Sequence, residues 1–256
     1  MSPSLLLALV RGLGLPEGAR VLDLMTGEGA APLLLSRELG YHCVGVEADD
    51  SLLERARVTA RDWEIDTLAQ FRSMDPRHLS LPVESYDLIL ALAGTLSSLG
   101  RVSTLERLRF YLRPGGHLLL SEPIYLDSAP DLEVMDALER GRDAEGRPYA
   151  IRHNQPSPEV RAVFETGPYG FETEVGLRSL LEALDFVAEW SCLLPESVWS
   201  HYFAQAALRG LAEPHERADL AREAIAFYAL GGRQSLGFLL LAARRPELEH
   251  HDEERR

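Results

Sequence analysis

The chain has 256 residues, of which 26 are basic and 40 acidic, giving a formal charge of −14. At roughly 100–200 residues per domain this is one large domain, or a core with a smaller cap. A hydrophobic fraction of 46 % excludes a disordered chain, and no apolar run reaches the roughly 18 residues of a membrane span. The opening segment MSPSLLLALVRGLG has no basic region before its apolar patch and no small-residue cleavage site after it. It predicts a helix of the fold and a cytoplasmic protein.

Every basic residue is an arginine. Schiff-base chemistry, pyridoxal-phosphate anchoring and a P-loop are excluded, because each needs a lysine amine. Cys43 and Cys192 each lie in an apolar run, which predicts two inert core thiols and no cysteine-rich metal site. The negative charge opposes binding to nucleic acid, whose affinity comes from neutralised phosphates.

Arg20–Leu24 reads as a buried strand running into a glycine-containing turn, and Ala30–Leu39 as a helix capped by Gly40. His42–Val46 is a second strand. Ser51–Asp62 is a helix with Ser51 or Asp50 as its N-cap. Leu68–Ser73 and Tyr86–Ala93 are the third and fourth strands. Val102–Leu112 is helical, Arg-Pro-Gly-Gly at 113–116 is a turn, and His117–Ser121 is a fifth strand. Asp127–Phe171 is irregular around one helix-like piece, as expected of a lid or binding loop. Glu174–Leu184 reads as a helix, and Phe186–Leu193 and Ser235–Arg244 as the last strands, with an aromatic set (Trp199, Tyr202, Phe203, Phe227, Tyr228) between them. That set either fills the core of a cap or lines an acceptor pocket. Residues 247–256 form a charged tail.

Apolar strands alternating with helices predict a parallel sheet covered on both faces. In such sheets ligands bind beyond the carboxyl ends of the strands, so the turns after residues 24, 46, 73, 91 and 121 are where chemistry is sought. The first turn reads Asp23-Leu24-Met25-Thr26-Gly27-Glu28-Gly29, and the second strand runs into Glu47, 18 residues after Gly29. An acidic side chain there suits a ribose diol. A dinucleotide enzyme requires G-x-G-x-x-G/A; here Pro32 holds the third position, and carboxylates at Asp23 and Glu28 disfavour a pyrophosphate. An adenosyl ligand carrying ammonium or sulfonium charge fits better. An NAD-dependent oxidoreductase is the weaker alternative.

Four segments taken together, VLDLMTGEGA at 21–30, VGVEADD at 44–50, SMDPRHLSLPVESYDLIL at 73–90 and LRPGGHLLLSEP at 112–123, resemble the class I S-adenosylmethionine-dependent methyltransferases of the small-molecule type. The resemblance covers roughly residues 5–125. It implies an α/β fold: a seven-stranded, mainly parallel Rossmann-like sheet, its last strand antiparallel, with helices on both faces. The core would comprise residues 1–125, 172–194 and 233–246, and an inserted cap residues 126–171 and 195–232. The resemblance also implies S-adenosyl-L-methionine as cofactor. Gly27 and Gly29 would let the backbone approach it, with Asp23 orienting their loop. Glu47 would hold the ribose hydroxyls, Ala48 would lie against the adenine, and Met74 and Asp75 would bracket and hydrogen-bond that ring. Ala91 would offer its carbonyl to the ligand's ammonium. Met25 stands where the family has its first glycine.

Methyl transfer is an in-line displacement at an activated carbon, so alignment and desolvation supply most of the acceleration and a general base is optional. Glu122, just past the fifth strand, and His201, among the aromatic residues, are the candidate catalytic groups. His153 is a weaker candidate. His117, at the other end of its strand, is structural, and His250 and His251 lack neighbouring ligands, so no metal site is expected. The fourth strand continues ALAGTLSS, without the Asn/Asp-Pro-Pro-Tyr/Phe signature of amino-methylating enzymes of nucleic acid and protein. The expected partner is an apolar or aromatic small-molecule acceptor. A protein that binds the adenosyl ligand without transferring its methyl group is the second possibility.

Overall fold

Val21, Leu22 and Leu24 of β1 (Arg20–Leu24) are all at most 1 % exposed, and every residue of β4 (Tyr86–Ala91) is buried. Strands sealed this way on both sides belong to the centre of a parallel sheet. The computed structural model describes residues 2–126, 172–200, 224–225, 227–229 and 235–247. In chain order the remaining elements are α1 (Pro3–Gly12), α2 (Ala30–Leu39), β2 (His42–Glu47), α3 (Asp50–Asp62), β3 (Ala69–Ser73), α4 (Thr95–Leu99), α5 (Arg101–Tyr111), β5 (Leu112–Tyr125), β6 (Glu172–Thr173), α6 (Glu174–Ala183), β7 (Val187–Leu193) and β8 (Leu236–Arg244). The sheet runs β3-β2-β1-β4-β5-β8-β7, with β6 paired to β5 off that path. β1 pairs in parallel with both β2 and β4, so strand order reverses on either side of it, while β7 and β8 are antiparallel. This is the expected mainly parallel sheet of seven strands, with a two-residue eighth.

Internal contacts divide the chain into two compact units. The first comprises Met1–Glu122, Arg178–Leu193 and Leu239–Arg256; the second comprises Pro123–Leu177 and Leu194–Phe238. Within the second, the rings of Trp199 and Phe227 stack with centroids 4.4 Å apart, and Phe238 meets Trp199 edge-on at 5.2 Å. Trp199 and Phe227 are at most 1 % exposed, so they fill the interior of that unit. Tyr202 and Phe203 lie outside the described residues.

Several local expectations change. Asp49, rather than Asp50 or Ser51, caps α3, its carboxylate accepting from the Ser51 N–H at 2.9 Å; Asp50 already belongs to the first turn. The Pro-Gly-Gly segment is not a turn before β5 but an irregularity inside it. Tyr86 pairs with Leu112, yet Leu88 pairs with His117, so the extra residues are absorbed as a bulge with Gly115 at φ +76°. Cys43 is buried as expected, and burial pushes its thiol up to about 12. Cys192 is exposed, because β7 is an edge strand. His117 is structural, 3.5 Å from the Glu189 carboxylate of β7.

On one face of β1–β3, Phe71, Ala69 and Ile65 form a cluster with Leu33 of α2 and Leu53, Ala56 and Ala60 of α3. The 53, 56, 60 spacing is one helical stripe. Gly29, at φ +75°, closes this cluster: a Cβ there would lie 2.4 Å from Phe71 and 2.9 Å from Ala56. The expected result for Gly29→Ala is a loss of about 3 kcal/mol, combining left-handed strain with overpacking, read as a lower urea midpoint at unchanged slope.

Candidate active site

The register places five residues in one row across the sheet: Arg72, Val46, Leu24, Ala91 and Leu120. Every cofactor residue implied by the resemblance lies in that row or within five positions after it, apart from Asp23 just before it. Parallel topology therefore brings Met74 and Asp75, Glu47 and Ala48, Met25 to Gly29, and Ala91 to one edge, at the strand-order reversal where α/β ligands bind.

At the centre is Glu47, the last residue of β2, 8 % exposed. Its Oε2 accepts from the Gly27 N–H at 3.0 Å and its Oε1 from the Ala48 N–H at 2.9 Å. These bonds tie the glycine loop to the β2 terminus. They also leave lone pairs on a carboxylate that has about four acceptor positions. Gly27 is open: a Cβ built there meets nothing within 4 Å. A backbone-only surface beside a fixed carboxylate suits a ribose diol, so the residues present fit S-adenosylmethionine.

Beneath the loop, Asp23 Oδ2 accepts from Thr26 Oγ1 at 2.5 Å, and the Thr26 N–H donates to the Val46 carbonyl at 3.0 Å. Burial pushes the Asp23 carboxyl up to about 7 against the pull of the Thr26 bond, with the Glu47 carboxylate adding to the rise. Glu28 faces outward and pairs with Arg55 at 2.9 Å. Burial thus favours the neutral form of Asp23, and Glu28 has its own cation. Met25 adopts φ +60° and Ala93 φ +58°. Left-handed backbone at non-glycine residues costs about 1–3 kcal/mol each, and these two flank the ends of adjacent strands β1 and β4.

The Asp23 shift has a definite sign. An acid whose folded-state pKa is raised binds its proton more tightly when folded. Its contribution is therefore greatest below pH about 4 and is lost as pH rises through about 7. Glu122 is raised in the same direction, also to about 7 and chiefly by burial. Melting temperature should fall between pH 5 and 8, and Asp23→Asn should flatten that slope. Identical slopes in the two proteins would show that Asp23 is already ionised at pH 5.

Asp75 is half-exposed at the β3 side, accepting from the Arg77 N–H at 2.8 Å and lying 3.0 Å from His78 Nδ1. The Arg77 and His78 contacts hold its carboxyl below the usual range. The Met74 sulfur accepts from the Ser80 N–H at 3.3 Å. Past β4, Ser121 fixes the chain: its Oγ accepts from the Ala93 N–H at 2.8 Å and its carbonyl from the Gly94 N–H at 2.9 Å. Glu122 is 1 % exposed and points into the start of α4. It accepts from the Leu96 N–H at 2.8 Å, the Ser97 N–H at 3.0 Å and Ser97 Oγ at 2.6 Å. Glu122 thus anchors the 93–97 turn. His201 and His153 lie outside the described residues. Among the described residues, no group of three His, Cys, Asp or Glu is arranged to hold a metal ion, and no helix is long and apolar enough to cross a membrane.

Thr26, Phe71, Ser97 and Ser121 are the site-shaping residues that the motifs did not reveal. Thr26 stands three residues after Asp23 and was visible in principle. Ser97 and Ser121 act across 25 and 28 residues of sequence, which no local pattern encodes.

The methyltransferase domain family matches residues 21–116. The 27-O-demethylrifamycin SV methyltransferase of Amycolatopsis mediterranei is 26 % identical over 92 % of this chain and 80 % of its own length. A methyltransferase from Geobacter sulfurreducens, solved with S-adenosyl-L-homocysteine, superposes with a TM-score of 0.66 at 20 % identity, covering 95 % of this chain and 91 % of that one. The [4+2]-cyclase SpnF shares the fold at a TM-score of 0.67 and 18 % identity, covering 96 % and 81 %. Fold alone therefore does not define the reaction. Residues 21–116 thus match the methyltransferase domain family, and the fold around them is that of S-adenosylmethionine-dependent methyltransferases.

Proposed function

We propose that the protein methylates a small, largely apolar molecule by in-line transfer. The observation that carries this reading is the row geometry: Glu47, the open Gly27 backbone and the β4 terminus meet at one sheet edge. Bound there, S-adenosylmethionine supplies a methyl carbon already activated by sulfonium charge. Glu47 receives the ribose hydroxyls, Asp75 the adenine amino group, and the Ala91 carbonyl an ammonium; Ala48 and Met74 lie against the ring. Glu122 is a positioning residue, since both its oxygens are committed to α4. His201 remains a candidate for touching the acceptor. A small-molecule acceptor is supported by the rifamycin-type relative, whose name specifies one. The net charge of −14 speaks against nucleic acid. Two free cysteines, one exposed, suit a reducing, cytoplasmic setting.

A second reading, binding without transfer, draws on Met25 standing in left-handed conformation where the family has glycine. Incubation with methyl-labelled S-adenosylmethionine and panels of phenols, amines and carboxylic acids separates the two. Transfer predicts S-adenosylhomocysteine formed in step with labelled product. Tight binding with no turnover on any panel supports the second reading.

A further inference from the structure

We infer that a cavity on the face of β1–β3 turned away from α2 and α3 binds a small phosphate ester. Side chains alternate across a strand. Because Ala69 and Phe71 face α2 and α3, the intervening Gln70 and Arg72, with their register partners Val44 and Val46, face the other way, as does His42. Arg20 is the register partner of His42. The β3–β4 connection, residues 74–85, contains no helix to cover this face. A cavity of about 370 Å³ results.

Its polar walls are Arg20, His42, Thr67, Gln70, Arg72 and Tyr86, and no carboxylate lines it. In a chain of net charge −14 that composition stands out, and a long-range field that repels anions means that only a local cluster can hold one. The Arg20 guanidinium lies 5.7 Å from the centroid of the Tyr86 ring, and Arg72 lines the same cavity. Among the described residues the side chains of His42, Gln70 and Arg72 have no hydrogen-bond or ion-pair partner. Arginine pairs bind phosphate through bidentate hydrogen bonds. Val44, Leu68 and Pro82 add apolar wall, and the volume exceeds what a bare phosphate fills; hence an ester with an apolar body. None of the residues assigned to S-adenosylmethionine lines this cavity, so the inference does not depend on the proposed function.

The test is calorimetric titration of the full chain with phenyl phosphate in low-salt buffer, with and without saturating S-adenosylhomocysteine, using wild type, Arg72→Gln and Arg20→Gln. The expected result is one saturable site, at least tenfold weaker in Arg72→Gln, unaffected by S-adenosylhomocysteine, and not reproduced by phenol. Arg72 is exposed, and its side chain has no hydrogen-bond or ion-pair partner among the described residues; Arg20→Gln provides a second variant should the first melt lower. Absence of saturable binding overturns the inference. So does wild-type affinity in both variants, or competition by S-adenosylhomocysteine.

Discussion

Glu47→Ala is expected to weaken binding of S-adenosylmethionine and S-adenosylhomocysteine by about 1–3 kcal/mol, roughly fivefold to more than a hundredfold. Two effects add. The ribose hydroxyls lose a charged acceptor, and the Gly27 and Ala48 N–H groups, bonded to Glu47 at 3.0 and 2.9 Å, lose theirs. Glu47→Gln separates the two, because its amide oxygen can still accept from one backbone donor but carries no charge. The expected order of affinity is wild type, then Gln, then Ala. Calorimetry gives the affinities, and circular dichroism checks that the fold persists. Unchanged affinity in Glu47→Ala would mean that the ribose lies elsewhere.

Glu122→Ala is expected to cost about 3 kcal/mol of stability. Three donors, the N–H groups of Leu96 and Ser97 and the Ser97 hydroxyl, would be left in a buried place without their acceptor, and each such group costs about 1–3 kcal/mol before relaxation. The 93–97 turn would loosen, with Ala93 free to leave its left-handed conformation. Glu122→Gln behaves differently. It keeps one acceptor and removes a carboxyl whose ionisation burial opposes, so its loss should be smaller and should shrink as pH rises from 5 to 8. Urea denaturation at both pH values reads the difference. A positioning role predicts that residual turnover in Glu122→Gln follows the wild-type pH profile; loss of the basic-side activity would instead mark Glu122 as the general base.

The half of the fold from β1 to β5 is legible because its central strands are short apolar runs ended by a turn or a helix cap, such as Arg20–Leu24 before Gly27 and His42–Glu47 before Asp49. Burial on both faces gives such strands an unbroken apolar signature. Thr95–Leu99 was not legible: five residues with two serines carry no helical stripe, and α4 exists because Glu122, contributed by another strand, caps it. The Pro-Gly-Gly segment was read as a turn, since composition cannot distinguish a turn from a bulge whose partner is Arg245, with the Gly115 N–H donating to the Arg245 carbonyl at 2.9 Å. Cys192 reads as internal because Trp190-Ser-Cys-Leu-Leu is an apolar run, but an edge position exposes it. At the site, the motif residues Asp23, Gly27, Glu47 and Asp75 were visible because they follow strand ends directly. Ser121 was not, since its hydroxyl acts on Ala93 through space.

The most direct measurement is titration of the protein with S-adenosylhomocysteine, and in parallel with NAD(H), by isothermal calorimetry. The geometry at Glu47 and Gly27 predicts one saturable site per chain for the adenosyl ligand, lost or much weakened in Glu47→Ala, and no saturable binding of the dinucleotide. Binding of NAD(H) with no response to S-adenosylhomocysteine would contradict it.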